Sequence, residues 1–159
     1  MHRLIYNRTP RTAPKTPLTN FHLAIGSAIS IMSEHLEIIK KRNQLFKELY
    51  EGDDMRALCD ALYVQDCKMM VPGEKTTEGK DDAQKLLASF KSEGAVLVNL
   101  HAIEVAPIGG GELLYERGDY DFAKADNKPF KMGKYLVIWK LTDGEYKRYT
   151  EILNSGKQQ

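Results

Sequence analysis

After Gly94 the sequence offers no stretch that reads as helix. Ala95 to Val105 alternates, Gly109-Gly110-Gly111 turns the chain, and Leu113 to Phe122 returns as a second long strand. Asp126-Asn127 makes the next turn, Phe130 to Leu141 is the following strand, and Asp143-Gly144 closes a hairpin onto Tyr146 to Leu153. Four long strands joined only by tight turns form a meander, and whatever covers its buried face must come from the residues before Gly94.

Those residues read as helices. From Ser33, a plausible N-cap, Leu36, Ile39, Leu45, Phe46 and Leu49 recur at three- and four-residue intervals, with charged residues between them. Gly52 ends this helix, and Asp53 or Asp54 can cap a shorter one with Met55, Leu58 and Leu62 on its apolar face. Tyr63 to Val71 reads as a strand stopped by Pro72-Gly73. A third helix starts at Lys80 or Asp81, presents Ala83, Leu86, Leu87 and Phe90, and stops at Gly94. Helices first and a meander afterwards argue an α+β domain with the helices on one face of an antiparallel sheet. Its expected span is residues 33–155, with tails at 1–32 and 156–159.

The first tail carries Arg3, Arg8, Arg11 and Lys15 and no acid before Glu34. This resembles a mitochondrial targeting segment, although Pro10, Pro14 and Pro17 interrupt the amphipathic helix that import needs; a disordered tail or an extension upstream of Met32 is the other reading. The expected location is cytoplasmic, or mitochondrial if the segment targets. With 23 basic against 22 acidic residues, the chain gives no electrostatic reason to expect a nucleic acid or an acidic membrane as partner. No apolar run approaches the roughly 20 residues that span a bilayer. Cys59 and Cys67 are too sparse for a disulfide scaffold or a zinc cluster, so neither a metal nor another cofactor is expected.

Several phrases carry a family resemblance: Gly52-Asp53 between two helices, Leu62-Tyr63-Val64-Gln65-Asp66-Cys67 entering a strand, Pro72-Gly73, and Glu78-Gly79-Lys80 before the third helix. The close is the most specific, with Gly133-Lys134-Tyr135-Leu136-Val137-Ile138-Trp139-Lys140, then Asp143-Gly144, then Glu151-Ile152-Leu153-Asn154-Ser155. Together they resemble the polyketide-cyclase-like (SnoaL-like) branch of the nuclear transport factor 2-like superfamily. The resemblance implies a cone-shaped, cystatin-like half barrel, with a pocket between the concave sheet and three helices and dimerisation through the outer sheet face. It implies no reaction, because function on such a fold resides in the site.

The steroid-isomerase pattern of that superfamily is absent. Val71 stands where an aspartate would precede Pro72, and Leu45 and the neighbourhood of Val137 fall where a tyrosine and a second acid are required. Other candidates remain. His101 is the one histidine within a strand, and parity leaves open whether it faces the pocket or the outer surface and sheet edge. Glu116 shares a face with Leu114, Gly118, Tyr120 and Phe122, which makes it a buried acid on the concave side. Glu151 depends on the last hairpin. A turn with a glycine bulge puts Tyr149, Glu151 and Leu153 beside Val137 and Trp139, whereas a two-residue turn puts Arg148, Thr150 and Ile152 there instead. The resemblance favours the first. Either acid can act as a general base or simply hold the barrel together through a hydrogen bond. Tyr63, Tyr120, Tyr135, Trp139 and Tyr149 are candidate pocket-lining aromatics. The expected function is a homodimeric domain that binds a small apolar or aromatic molecule. The rivals are an isomerase or dehydratase using Glu151, Glu116 and His101, and an assembly module.

Overall fold

The computed structural model describes residues 18–156, with side chains from Met32 onward. Expectations placed on residues 1–17 lie outside the described residues. Helix α1 (Leu18–Glu51) begins immediately after Pro17, the last proline before the domain, so Ser33 is an interior helical residue and not a cap. Its buried side chains Ile39, Asn43, Phe46 and Tyr50 recur at steps of four, three and four, one stripe down the helix. Asp53, at a φ of 64°, turns the chain into α2 (Met55–Leu62), where the Asp54 side chain caps by accepting from the Ala57 amide at 2.9 Å.

Strand β1 (Tyr63–Met70) follows directly, then a two-residue strand β2 (Thr77–Glu78), too short for any sequence period to reveal. Helix α3 (Lys80–Ser92) starts at Gly79 with Asp81 and Asp82 in its first turn, where their charge suits the helix N-terminus. Gly94, at a φ of 104°, ends it. The meander is β3 (Leu97–Ile108), β4 (Leu113–Ala123), β5 (Pro129–Thr142) and β6 (Glu145–Ser155).

The six strands form one sheet in the order β2-β1-β6-β5-β4-β3. All neighbours are antiparallel except β1 and β6, which pair parallel, so the sheet is mixed, a feature that strand periodicity cannot signal. The three helices cover its concave face, and the core between them centres on Trp139, Tyr50, Tyr63, Phe90 and Leu114. No helix among the described residues is long and apolar enough to cross a membrane.

At the open edge, α1 supplies the partners that β3 lacks. Glu51 accepts from the Val98 amide at 3.1 Å, and Lys47 donates to the Val98 carbonyl at 2.9 Å and to Asn99 Oδ1 at 2.8 Å. A strand edge capped on both its donor and its acceptor is protected there from pairing with another chain.

Candidate functional site

The site is built by the register of the last hairpin. Asp143 and Gly144 both take positive φ, 54° and 81°, and Thr142 pairs with Glu145, which is a two-residue turn matched to the strand twist. The register runs unbroken to Trp139 opposite Arg148, then resumes with Ile138 opposite Thr150 and Val137 opposite Glu151. Tyr149 is therefore the extra residue of a β-bulge. Neither expected register holds alone: the two-residue turn sends Arg148 inward, and the bulge restores Glu151 to the same concave face three residues later.

Both side chains are buried, as are Glu116 and Asn43. Glu116 lies opposite Val137 on β4 and accepts from Tyr135 Oη at 2.6 Å, Trp139 Nε1 at 2.9 Å and Asn43 Nδ2 at 2.5 Å. The Asn43 amide oxygen accepts from Arg148 Nη2 at 3.0 Å, Arg148 Nη1 is bonded to Glu151, and Glu151 accepts from Tyr63 Oη at 3.1 Å. One continuous polar network thus crosses the core, as buried polar groups require. Its guanidinium is also enclosed by rings, with its carbon 4.7 Å from the centre of Phe46, 5.0 Å from Trp139 and 5.9 Å from Tyr63.

Burial opposes the charge on Arg148, but Glu151, Tyr63 and Glu116 outweigh it and hold the guanidinium protonated more firmly than usual. Burial, reinforced by the neighbouring carboxylates Glu151 and Glu116, pushes the Tyr63 and Tyr135 hydroxyls well above the ordinary phenol range. Both tyrosines are hydrogen-bond donors in this network. Burial also lifts the Cys59 and Cys67 thiols to about 12 and about 11, so neither is a ready nucleophile.

Tyr135 reaches Glu116 because its cross-strand partner is Gly118. A Cβ at that position would lie 2.6 Å from the Tyr135 hydroxyl, so the absent side chain is the space the phenol occupies.

Two candidates are placed elsewhere. His101 is on the outer face, its side chain 67% exposed and 3.6 Å from Asp121. The register of β3 shifts at Ile103, so Glu104 also faces outward, where it accepts from Arg117 and Tyr115. A strand that changes face partway defeats parity counting. Tyr149, the bulged residue, is half-buried at the edge of the core, with the Lys140 ammonium 5.5 Å from the centre of its ring. Tyr63, Tyr120, Tyr135 and Trp139 all face the interior. Asn43 and Arg148 are the residues that the expected site lacked. The signal for Asn43 was its place between Ile39 and Phe46 on the buried helical stripe.

Next to the network is a small, partly open space of about 20 Å³, room for one water molecule. Arg148, Glu151 and Tyr135 line it together with Phe90, Tyr120, Phe122 and Leu153. Those last four also wall an outer recess of about 90 Å³, which opens between Val71, Pro72, Lys131 and Ser155.

No protein-family profile and no curated protein matches the sequence. Solved structures match in shape. A ketosteroid isomerase-like protein from Erwinia carotovora atroseptica superposes with a TM-score of 0.63 at 17% identity, over 79% of this chain and 98% of that one. An NTF-2 like protein of unknown function from Shewanella oneidensis gives 0.59 at 13% identity, over 74% and 96%. The chain has the nuclear transport factor 2-like fold. A protein of unknown function from Nostoc punctiforme, described as having a cystatin-like fold, gives 0.64 at 8% identity over 76% and 90%. At such identities the nuclear transport factor 2-like fold is what is shared, and the chemistry must be read from the side chains.

Proposed function

We propose that this chain is a small-molecule-binding domain which takes an apolar or aromatic molecule into the recess between sheet and helices, without catalysis by its buried acids. One observation carries this reading. Both interior carboxylates are committed, Glu151 to Arg148 and Tyr63, and Glu116 to three donors, while the walls toward the opening are aromatic and aliphatic. A general base must be within reach of a substrate proton and free to accept it, whereas Glu116 is already held by three donors and Glu151 by a buried guanidinium and a phenol. His101, the expected partner in a dehydratase-like pair, points to the opposite face of the sheet. Native mass spectrometry of the protein purified from its own organism tests the reading. A co-purifying molecule, or saturable binding of small aromatic fragments by ligand-observed NMR, supports it; protein with nothing bound and no fragment binding overturns it.

The same reading includes a homodimer formed through the outer sheet face. Leu136 and Ile152 are adjacent across β5 and β6 and are 38% and 46% exposed, and Ile103 is 50% exposed on β3. The Glu104–Arg117 pair lies between Ile103 and Leu136 and the Asp119–Lys134 pair beside it, and exposed apolar side chains interspersed with ion pairs suit a protein partner better than water. Light scattering should give twice the monomer mass, and Leu136→Asp should halve it; a monomer at micromolar concentration in the unaltered protein overturns the dimer.

A further inference from the structure

Arg148 is buried, lines the inner space and leaves one donor unused. A guanidinium carries five N–H groups in a fixed fork. Here Nη1 serves Glu151 and Nη2 serves Asn43, but the buried Nε–H meets no acceptor among the described residues. A buried N–H on a charged group is a strong site for an oxygen acceptor, since the donor has already lost its water. Tyr120 lines the same space, and its hydroxyl makes no hydrogen bond with the described residues either.

The surrounding charge restricts what that acceptor can belong to. One guanidinium faces two carboxylates in this core, Glu116 and Glu151, so a third anion would enter a region already in negative excess. The one cation at the mouth, Lys131, lies 3.7 Å from Glu93 and is 4.4 Å above the Phe90 ring, so it is already partnered. Size sets a further limit. The inner space holds only about a single oxygen-sized group, whereas the outer recess and its shared walls of Phe90, Tyr120, Phe122 and Leu153 suit a ring.

We infer that the recess selects flat, uncharged molecules with one oxygen acceptor at the tip, which enter past Pro72 and Lys131 ring-last and place the acceptor on the Nε–H of Arg148. This rests on the reading of the recess as a binding site. It adds that a carbonyl compound is preferred both to its hydrocarbon analogue and to the corresponding carboxylate, and that Arg148 is the residue responsible.

The full chain labelled with ¹⁵N is titrated separately with acetophenone, ethylbenzene and benzoate, following the arginine Nε–H resonances, with Arg148→Lys used to assign the one that matters. Acetophenone should bind about tenfold more tightly than ethylbenzene, the worth of one hydrogen bond to a charged donor. It should shift the Arg148 Nε–H resonance, which ethylbenzene should leave in place, and benzoate should bind more weakly than acetophenone. In Arg148→Lys the preference for the ketone should fall to within about twofold. Should that variant fail to fold, the ketone-to-hydrocarbon ratio and the Nε–H shift in the unaltered protein decide the matter. Equal binding of acetophenone and ethylbenzene, or tightest binding of benzoate, overturns the inference and leaves the recess a binding site. Absence of binding by all three overturns both.

Discussion

Glu116 and Glu151 lie in one cross-strand row, each directly opposite Val137 from its own side, yet each carboxylate has a different set of partners. Glu116 is held by neutral donors from β5 and α1, Glu151 by the Arg148 charge and the Tyr63 hydroxyl. Asn43 alone joins the two halves, giving its nitrogen to one and its oxygen to the other. Two acids separated by two strand spacings, about 10 Å, can both stay buried because neither shares a donor atom with the other.

The ion pair should therefore be costly to break and cheap to replace. Glu151→Gln strands the Arg148 charge in the core and should cost about 3–5 kcal/mol, while Arg148→Met with Glu151→Leu together should cost less than either single change. Urea unfolding of the parent, Glu151→Gln, the single variants Arg148→Met and Glu151→Leu, and the double variant gives the comparison. A double variant less stable than both singles would show that the pair is held for stability and not for the polar floor of the recess.

Asn43→Leu keeps the approximate volume of the side chain and removes both of its bonds at once. Glu116 loses one of three donors and Arg148 loses an acceptor while still bonded to Glu151, so the expected cost is about 1–3 kcal/mol. Asn43→Asp keeps an acceptor for Arg148 but places a third carboxylate against Glu116, and it should be the less stable of the two at neutral pH. Denaturant midpoints at one pH settle the order; an aspartate variant as stable as the asparagine would mean that Glu116 is not the near neighbour the structure shows.

How far this site was legible follows from its parts. Ile39 and Phe46 of the first helix, the strands after Gly94 and the place of the Asp143-Gly144 turn obey fixed periods or fixed backbone requirements, so sequence and structure agree on them, whereas Tyr50 joins the buried stripe in place of Leu36, Leu45 and Leu49. Glu116 was readable because β4 alternates without interruption between Leu114 and Phe122. Arg148 and Glu151 were not readable as a pair. Residues three apart face opposite ways on a regular strand, and only the bulge at Tyr149 turns both inward. The same irregularity at Ile103 hid the facing of His101 and Glu104. A bulge is selected by what the packed interior needs, which is information distributed over several elements.

Gly118→Ala tests whether Tyr135 needs the vacancy beside it. The added methyl would run into the His101 carbonyl oxygen on β3 and meet both the Tyr135 hydroxyl and the ring carbon that bears it at 2.6 Å, so β3 must shift and the phenol must swing away from Glu116. Overpacking of this kind costs about 1–3 kcal/mol. The readout is a lower denaturant midpoint together with a changed Tyr135 environment in near-ultraviolet circular dichroism; a variant as stable as the parent would mean that both the β3 backbone and the ring have room to move.

The clamp on the β3 edge should be sensitive to acid. Burial pushes the Glu51 carboxyl up, but hydrogen bonds from Lys47 and the Val98 amide, with the charges of Lys47 and Lys91, outweigh it and leave the group below its ordinary value. A carboxyl whose folded pKa is depressed stabilises the fold above its unfolded value, about 4.3, and that contribution disappears as pH falls through the folded value. Glu51→Gln removes the charge at every pH. The stability difference between parent and variant should accordingly be constant from pH 8 to pH 6 and shrink below about pH 4.3. Urea midpoints for both proteins at pH 7, 5 and 4 give the trend, and a difference that widens toward acid would place the Glu51 charge away from Lys47 and the β3 edge.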